Sequence, residues 1–120
     1  MNNRGTMGNP IRSRIQPAPR NGGFKMEDHF IWCGSVVTGE DGKFYMFASR
    51  WRRELGFGKQ WLFNSEIVRA SSDNPIGPYT FEEVVFQRRE RRYFDALNQH
   101  NPSIKYWNGT YYLYYMGTTY

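Results

Sequence analysis

The amino-acid sequence predicts an all-β protein, organised as part of a β-propeller. One pattern occurs twice, at 35–48 and at 103–115: a short apolar run, a turn that contains glycine, and an aromatic-rich run. The turn glycines, Gly42 and Gly109, lie 67 residues apart. Aromatic residues make up 18% of the chain, which favours strands. A repeat of this size made of strands and tight turns is typical of propellers, whose blades are four-stranded sheets.

Four sequential antiparallel strands are predicted for the first blade. Clusters of Gly, Pro, Asn and Asp bound them, and these residues favour turns. The predicted strands lie at 30–37, 43–50, 66–71 and 79–87. The first run is almost wholly apolar, as in a strand that is buried on both faces. A longer loop at 51–63 separates the second and third strands, and loops of this length often carry function.

A hairpin begins the second blade. Its strands are predicted at 102–107 and 110–117. The dipeptide Asn108-Gly109 between them is the strongest short-range hairpin signal in a sequence, because both residues tolerate the positive φ of a tight turn.

The predicted domain organisation follows from these strands. Residues 1–25 are rich in Arg, Asn, Gly and Pro and predict an extended or disordered arm. Residues 26–120 predict the N-terminal part of a propeller, with blade 1 at about 29–87 and the start of blade 2 at about 100–120. Because a propeller needs about 4–8 blades to close, we expect the remaining blades C-terminal to Tyr120. The alternative is a small β-sheet domain with a similar start.

The chain is basic, with a formal net charge of +5 and a pI near 9.5. Its arginines are concentrated in the N-terminal arm, at 50–53 and at 88–92. Clustered arginine can mark a polyanion site. No nucleic-acid-binding motif accompanies these clusters, so we expect no nucleic-acid partner.

The composition also indicates the redox state, the location and the cofactor needs of the protein. The single cysteine, Cys33, rules out an internal disulfide, and its place in an apolar strand predicts a buried, inert thiol. No apolar stretch approaches the length of a membrane span and no secretory signal is recognisable, so the default expectation is a cytoplasmic protein without a membrane partner. Neither a phosphate-binding loop nor zinc-ligand spacing is present, and the sequence predicts no cofactor and no metal.

Two segments that precede the first strands of the two blades carry the candidate chemistry. Glu27 and Asp28 precede the first strand, and Asp95, His100 and Asn101 precede the fifth. The first strand of each propeller blade lines the channel, so we expect these residues to converge at one channel mouth. Glycoside hydrolysis needs one group to protonate the leaving oxygen and another to activate water or attack carbon. We therefore predict Asp28 and Asp95 as catalytic carboxylates.

The predicted substrate contacts surround these carboxylates. They are Glu27, Trp32, Arg50, His100 and Asn101. Three tryptophans, Trp32, Trp51 and Trp61, could stack on sugar faces, although packing within the protein also accounts for each of them. Both carboxylates have structural alternatives: Asp28 as a turn residue at the strand entry, and Asp95 as an ionic partner of the adjacent arginines.

Three motifs occur in order along the chain: a hairpin at 41–47, a turn at 71–79 with two prolines, and a strand entry that begins Asn101-Pro102. As a set they resemble glycoside hydrolase family 43 and its relatives. The resemblance implies a five-bladed β-propeller that hydrolyses glycosidic bonds of poly- or oligosaccharides with three carboxylates, of which the acid lies in a later blade. The family's usual first catalytic Asp would fall near Cys33-Gly34-Ser35, where this chain has no carboxylate.

Two other functions are compatible with the sequence. A non-catalytic carbohydrate-binding propeller would keep the aromatic and arginine contacts without the acid. A small polyanion-binding β domain, complete as it stands, would bind nucleic acid or sulfated glycan with a steep salt dependence. For the favoured glycosidase, we expect a carbohydrate substrate and an inactive fragment, because the remaining site residues lie outside this chain.

Overall fold

The structure, a computed structural model, describes residues 11–120. Six β-strands run through this part of the chain: β1 (His29–Thr38), β2 (Phe44–Arg52), β3 (Glu66–Ser72), β4 (Thr80–Val84), β5 (Asn98–Trp107) and β6 (Thr110–Thr118). Helical structure in the described residues is limited to single 3-10 turns at Arg12–Arg14 and Arg53–Leu55 and a four-residue α-helix, α1 (Trp61–Asn64). None of these helices has the length and apolar character needed to cross a membrane.

The strands form two antiparallel sheets. The first four pair in sequence order in a four-stranded sheet, and β5 pairs with β6 in a hairpin. The prediction of an all-β chain with one four-stranded sheet followed by a hairpin is confirmed. The tight turns form where the sequence predicts them, because Gly42 and Gly109 adopt φ angles of 81° and 76° that other residues rarely tolerate.

Two strand boundaries differ from the prediction by more than two residues. β4 ends at Val84 rather than at 87, and its pairing with β3 shifts between Arg69 and Ala70, which shortens the regular ladder. β5 begins at Asn98 rather than at 102, because the chain from Asn98 onward already pairs with the end of β6. The early start of β5 brings the polar strand entry into the sheet.

One face of the four-stranded sheet carries the apolar core. Side chains alternate along a strand, so Ala48 of β2 and Val68 and Ala70 of β3 lie on the same face, where they are fully buried. Phe24 and Tyr79 pack over them and are joined by a parallel β-bridge. The end of the predicted N-terminal arm therefore packs on the sheet, and residues 1–10 of that arm lie outside the described residues.

The other face of the sheet packs against the hairpin through a seam of serine hydroxyls. The Oγ atom of Ser49 accepts a hydrogen bond from the backbone N–H of Asn101 at 2.9 Å, and the Oγ of Ser35 accepts one from Ile104 at 3.1 Å. Serine suits this seam because its short side chain lets the two sheets approach closely. Its hydroxyl also accepts a hydrogen bond from a backbone N–H group that would otherwise be buried without a partner. These contacts fix β5 against β1 and β2.

The prediction that β1 is buried on both faces is wrong. Trp32, Cys33 and Val36 are exposed. β1 is an edge strand of its sheet, and a bulge interrupts its pairing with β2 between Trp32 and Ser35, so part of the apolar run faces outward. The predicted burial of Cys33 is wrong for the same reason, although partial burial still raises the pKa of its thiol and disfavours the reactive thiolate.

Candidate functional site

The two sheets carry the same β-bulge at the same place in their first strands. In β1 the pair Trp32–Ser49 is followed by Ser35–Phe47, and in β5 the pair His100–Met116 is followed by Ser103–Tyr114. Each first strand thus advances three positions while its partner advances two, which is one extra residue on the first strand.

The bulges share an unusual backbone conformation. Cys33 and Asn101, the residues that follow Trp32 and His100, have φ angles of 52° and 51°. Left-handed conformations are uncommon for residues other than glycine and re-aim the neighbouring side chains. The resemblance to glycoside hydrolase family 43 predicts a catalytic Asp near Cys33, and this chain has no carboxylate at 33–35.

The two bulges meet at one cavity of about 300 Å³. Trp32 and Cys33 line it from β1, and His100 and Asn101 line it from β5. Its remaining lining consists of large rings from the end of β2 and the loop that follows: Trp51, Phe57 and Trp61. We name this space the aromatic cavity.

Ring contacts hold the loop wall of the aromatic cavity in place. Phe57 packs edge-on against Trp32 and Phe30, with ring centroids 5.6 Å and 5.2 Å apart. Trp51, which is 2% exposed, donates its indole N–H to the carbonyl of Gly56 at 3.3 Å. The positive φ of 79° at Gly56 lets the loop turn back towards this donor. Tilted and edge-on contacts of this kind favour a fixed arrangement of the rings.

His100 is the buried polar group of the cavity wall. Its ring lies 5.1 Å from Trp61 and 6.1 Å from Trp51, between centroids, and the residue is only 3% exposed. Burial lowers the pKa of His100, so its imidazole is neutral at neutral pH. The Nδ1 atom is engaged with the Oγ of Ser65 at 2.8 Å, which leaves Nε2 as the ring nitrogen that can meet a ligand.

Ser65 is held from both sides by the start of β5. Its backbone N–H donates to Oδ1 of Asn98 at 2.9 Å, and its carbonyl accepts from the backbone N–H of Gln99 at 3.2 Å. With the bond to His100, three hydrogen bonds join the residue before β3 to three successive residues of β5. The position of the His100 imidazole is therefore fixed by hydrogen bonds between β5 and the entry of β3, in addition to its own rotamer preference.

Asn101 brings an exposed amide to the rim of the aromatic cavity. Its backbone N–H is tied to Ser49, and its side-chain Nδ2 lies 3.2 Å from the sulfur of Met116. The weak sulfur acceptor leaves most of the hydrogen-bonding capacity of the amide for other partners.

The structure brings three of the five predicted substrate contacts together and separates the other two. Trp32, His100 and Asn101 all line the aromatic cavity. Arg50 lies on the opposite face of the sheet, where its guanidinium contacts Glu66 at 2.7 Å and lies over the ring of Phe81 at 4.7 Å. Side-chain alternation on β2 accounts for this, because Ser49 and Trp51, on either side of Arg50, point towards the hairpin.

The carboxylates before β1 lie outside the aromatic cavity. Asp28 accepts a hydrogen bond from Nδ1 of His29 at 2.7 Å, and this bond lowers the pKa of Asp28. Its side chain is 68% exposed, so it is an ionised surface carboxylate. Glu27 lines a different cavity together with His29 and Arg53. The catalytic role of Asp28 and the substrate contact of Glu27 stay predictions.

Asp95 is a buried carboxylate with a full set of partners. It is 1% exposed, and it accepts hydrogen bonds from Tyr115 at 2.8 Å and from Arg89 at 3.2 and 3.3 Å. Burial raises the pKa of Asp95, but the bonds from Tyr115 and Arg89 outweigh it and leave the pKa lowered. This geometry is the ionic partnership that the sequence offered as the alternative, and a catalytic role for Asp95 stays a prediction.

The lining of the aromatic cavity supplies aromatic rings, an imidazole, a thiol and an amide. Its lining residues include no carboxylate. Within residues 11–120, no group of three or more His, Cys, Asp and Glu side chains is arranged to hold a metal ion. Sequence reasoning missed Phe57 and Ser65. The available signal for Phe57 was the long loop at 51–63, which supplies three of the cavity's rings, whereas Ser65 lies beyond that loop.

Comparison with known proteins supports the fold. No family model and no curated protein sequence matches the chain. Among solved structures, the chain is similar to Zg3597, a family 117 glycoside hydrolase produced by the marine bacterium Zobellia galactanivorans, with a TM-score of 0.60 and 22% identity. The match covers 82% of this chain and 34% of that one, so this chain spans about a third of the length of its neighbour. The chain therefore has a glycoside hydrolase-like fold, and the comparison does not single out family 43.

Proposed function

We propose that this chain forms the first blade and the start of the second blade of a glycoside hydrolase-like propeller, and that its aromatic cavity binds one sugar ring. The observation that carries the proposal is the convergence of two equivalent bulges, at Cys33 and Asn101, on a cavity walled by aromatic rings. The likeness of the fold to a glycoside hydrolase supports the choice of a carbohydrate ligand.

The lining suits a sugar in two respects. Aromatic rings offer large apolar surface against the C–H faces of a sugar, at a small cost in conformational entropy. His100 and Asn101 add polar groups for ring hydroxyls, since a neutral imidazole and an amide can each donate and accept. A volume of about 300 Å³ is at the lower end for ligand pockets, which fits one ring rather than a long chain.

Bond cleavage is proposed for the whole protein and not for this chain alone. Glycosidic hydrolysis needs two carboxyl groups that flank the scissile bond. No carboxylate lines the aromatic cavity, so we propose that the acid is supplied by a later blade of the whole protein. Asp28, which precedes β1 and lies outside that cavity, stays the candidate base on this chain. We expect the 120-residue chain to bind carbohydrate without cleaving it.

Calorimetric titration of the 120-residue chain tests the binding proposal. The probes are the neutral tetrasaccharides cellotetraose, xylotetraose and galactotetraose, with tetragalacturonate as an anionic comparison. We expect Trp61→Ala to weaken binding at the aromatic cavity by about tenfold or more. Trp107→Ala is the matched control, because Trp107 is 70% exposed at the hairpin tip and does not line the cavity. Equal affinities of the two variants, or no binding of any neutral probe, would overturn the proposal.

A hydrolysis assay tests the catalytic part separately. Release of nitrophenol from aryl-glycosides is compared between the 120-residue chain and its Asp28→Asn variant. We expect neither to exceed the background rate. Cleavage by the unaltered chain that the variant lacks would show that the carboxylates are complete within these residues and would contradict the assignment of the acid to a later blade.

A further inference from the structure

Ser65 and His100 share a hydrogen bond whose direction decides what the aromatic cavity offers to a ligand. The Oγ of Ser65 lies 2.8 Å from Nδ1 of His100, and the two residues are buried, with 5% and 3% exposure. Either atom can be the donor, because a hydroxyl and a neutral imidazole can each donate and accept. If Nδ1 donates, Nε2 is an acceptor, and if Ser65 donates, Nε2 carries the ring proton and is a donor.

The hydroxyl of Ser65 has one acceptor within reach. Among residues 11–120, Nδ1 of His100 is the one atom that shares a hydrogen bond with this Oγ. The backbone of Ser65 is already paired, since its N–H donates to Oδ1 of Asn98 and its carbonyl accepts from Gln99. If Nδ1 were the donor, the hydroxyl proton would be buried without an acceptor, which is unfavourable. Hydrogen-bond satisfaction therefore favours donation from Ser65 to Nδ1.

The neighbouring rings hold the imidazole in this orientation. The plane of the His100 ring is inclined by 32° to that of Trp61, and the Trp51 ring packs at 59° on it. A half-turn of the imidazole would exchange Nδ1 for a ring C–H group and leave the Ser65 hydroxyl without its acceptor. Ring packing and the hydrogen bond thus favour the same orientation.

The second ring nitrogen, Nε2, reaches the cavity. It forms no hydrogen bond within residues 11–120, and it is not one of the fully buried side-chain atoms there that lack a partner. It therefore meets the surface of the cavity that His100 lines. Because His100 as a whole is 3% exposed, this nitrogen is the part of the side chain that a ligand can reach.

A donor at Nε2 suits a hydroxyl group of a sugar. The hydroxyl oxygen can accept from Nε2, and its own proton needs an acceptor in the same cavity. Asn101 lines that cavity, and its Nδ2 is directed to Met116. The Oδ1 of Asn101 has no hydrogen-bond partner in the described part of the chain, so it is available as that acceptor.

We propose that Ser65 is a positioning residue of the aromatic cavity, which places the single ring proton of His100 on Nε2 and makes His100 a hydrogen-bond donor to a sugar hydroxyl. The choice of a sugar rests on the proposed function, whereas the position of the proton rests on the hydrogen bonds of Ser65. Ser65 does not itself line the cavity, so it acts on a ligand through His100.

Nitrogen NMR of the ligand-free 120-residue chain, at about pH 7.5, tests the position of the proton. A ring nitrogen without a proton resonates well downfield of one that carries a proton, and we expect the downfield signal of His100 to be Nδ1. The other histidine of the sequence, His29, is an internal comparison: its Nδ1 donates to the carboxylate of Asp28 and so carries a proton. The variant His100→Asn assigns the signals. A downfield Nε2 in His100 would overturn the proposal.

Two substitutions of Ser65 test its role. Ser65→Ala removes the donor, and we expect the ring proton to be shared between Nδ1 and Nε2 and the neutral tetrasaccharides to bind about fivefold more weakly. Ser65→Thr keeps a hydroxyl, and φ and ψ angles of −75° and 142° at this position suit a β-branched residue. We expect Ser65→Thr to retain the tautomer and the affinity. Ser72→Ala is the matched control, because its hydroxyl accepts an exposed hydrogen bond from Asn74.

The outcomes separate this proposal from the proposed function. Unchanged nitrogen shifts of His100 and unchanged affinity in Ser65→Ala would overturn the role of Ser65. Equal weakening in Ser65→Ala and Ser65→Thr, with the tautomer retained in both, would also overturn it, because the hydroxyl would then not matter. If no neutral tetrasaccharide binds the unaltered chain, the proposed function fails and the donor role towards a sugar fails with it. The tautomer of the ligand-free chain still decides whether Ser65 positions the proton.

Discussion

Ser65 and His100 lie 35 residues apart in sequence, and their side chains are joined by a hydrogen bond of 2.8 Å between Oγ and Nδ1. This bond crosses from the entry of β3 to β5 and sets the imidazole against Trp61 in the wall of the aromatic cavity. The same contact therefore contributes to the packing of the two sheets and to the geometry of the candidate site.

Removal of the Ser65 hydroxyl is expected to destabilise the fold. In Ser65→Ala, a buried ring nitrogen of His100 loses its partner, which costs about 1–3 kcal/mol in the free energy of unfolding. Urea denaturation measures the loss. Ser72→Ala is the control, since the Ser72 hydroxyl accepts an exposed hydrogen bond from Asn74. Equal losses in the two variants would show that the bond to His100 contributes nothing particular.

The stability of the chain is expected to depend on the protonation of His100. Its folded pKa lies below its unfolded pKa of about 6.5, so the unfolded chain binds the proton more readily. The free energy of unfolding therefore falls as pH falls below about 6.5 towards the folded pKa. Urea midpoints at about pH 7.5 and 5.5 should differ more in the unaltered chain than in His100→Asn. The same pH dependence in both chains would contradict this origin.

Asp95 is expected to matter for stability and Asp28 is not. Asp95→Asn leaves the buried partners of the carboxylate imperfectly paired, at a cost of about 1–3 kcal/mol at neutral pH. Asp28→Asn changes an exposed carboxylate and should leave the unfolding midpoint nearly unchanged. Because the pKa of Asp95 is lowered, its contribution is present above about pH 3.9 and is lost as pH falls through the folded value. A stable Asp95→Asn variant would refute the structural role.

Two glycines at strand positions should respond differently to a methyl group. A Cβ at Gly117 would lie 2.5 Å from the Phe94 ring and 2.8 Å from the Cβ of Asp95, so Gly117→Ala must displace the turn that holds this carboxylate. We expect a loss of about 1–3 kcal/mol in the free energy of unfolding. A Cβ at Gly34 would meet the flexible side chain of Met46, which can move aside. Equal midpoints of thermal unfolding in Gly117→Ala and Gly34→Ala would contradict this prediction.

The sequence was sufficient for features that depend on neighbouring residues. The turns at Gly42 and at Asn108-Gly109 follow from the conformational freedom of these residues, and the hairpins on either side follow from the turns.

Features that depend on distant pairing were not recoverable. The exposure of Cys33 results from a bulge, and a bulge is defined by the register of the partner strand. The separation of Arg50 from the aromatic cavity and the contact of Ser65 with His100 both depend on how the hairpin packs on the sheet. The order of the motifs along the chain was enough to indicate the resemblance to a glycoside hydrolase. The positions of the individual side chains could be determined only from the structure.

The binding of a sugar ring between the two bulges is tested most directly by a two-dimensional NMR titration of the 120-residue chain. The neutral tetrasaccharides serve as probes, and the signals observed are the indole N–H of Trp32 and Trp61, the ring of His100 and the side-chain amide of Asn101. We predict saturable shifts at all four residues, which together line the aromatic cavity, and no comparable shift at Trp107. Saturable sugar binding that leaves these four residues unchanged would contradict the account.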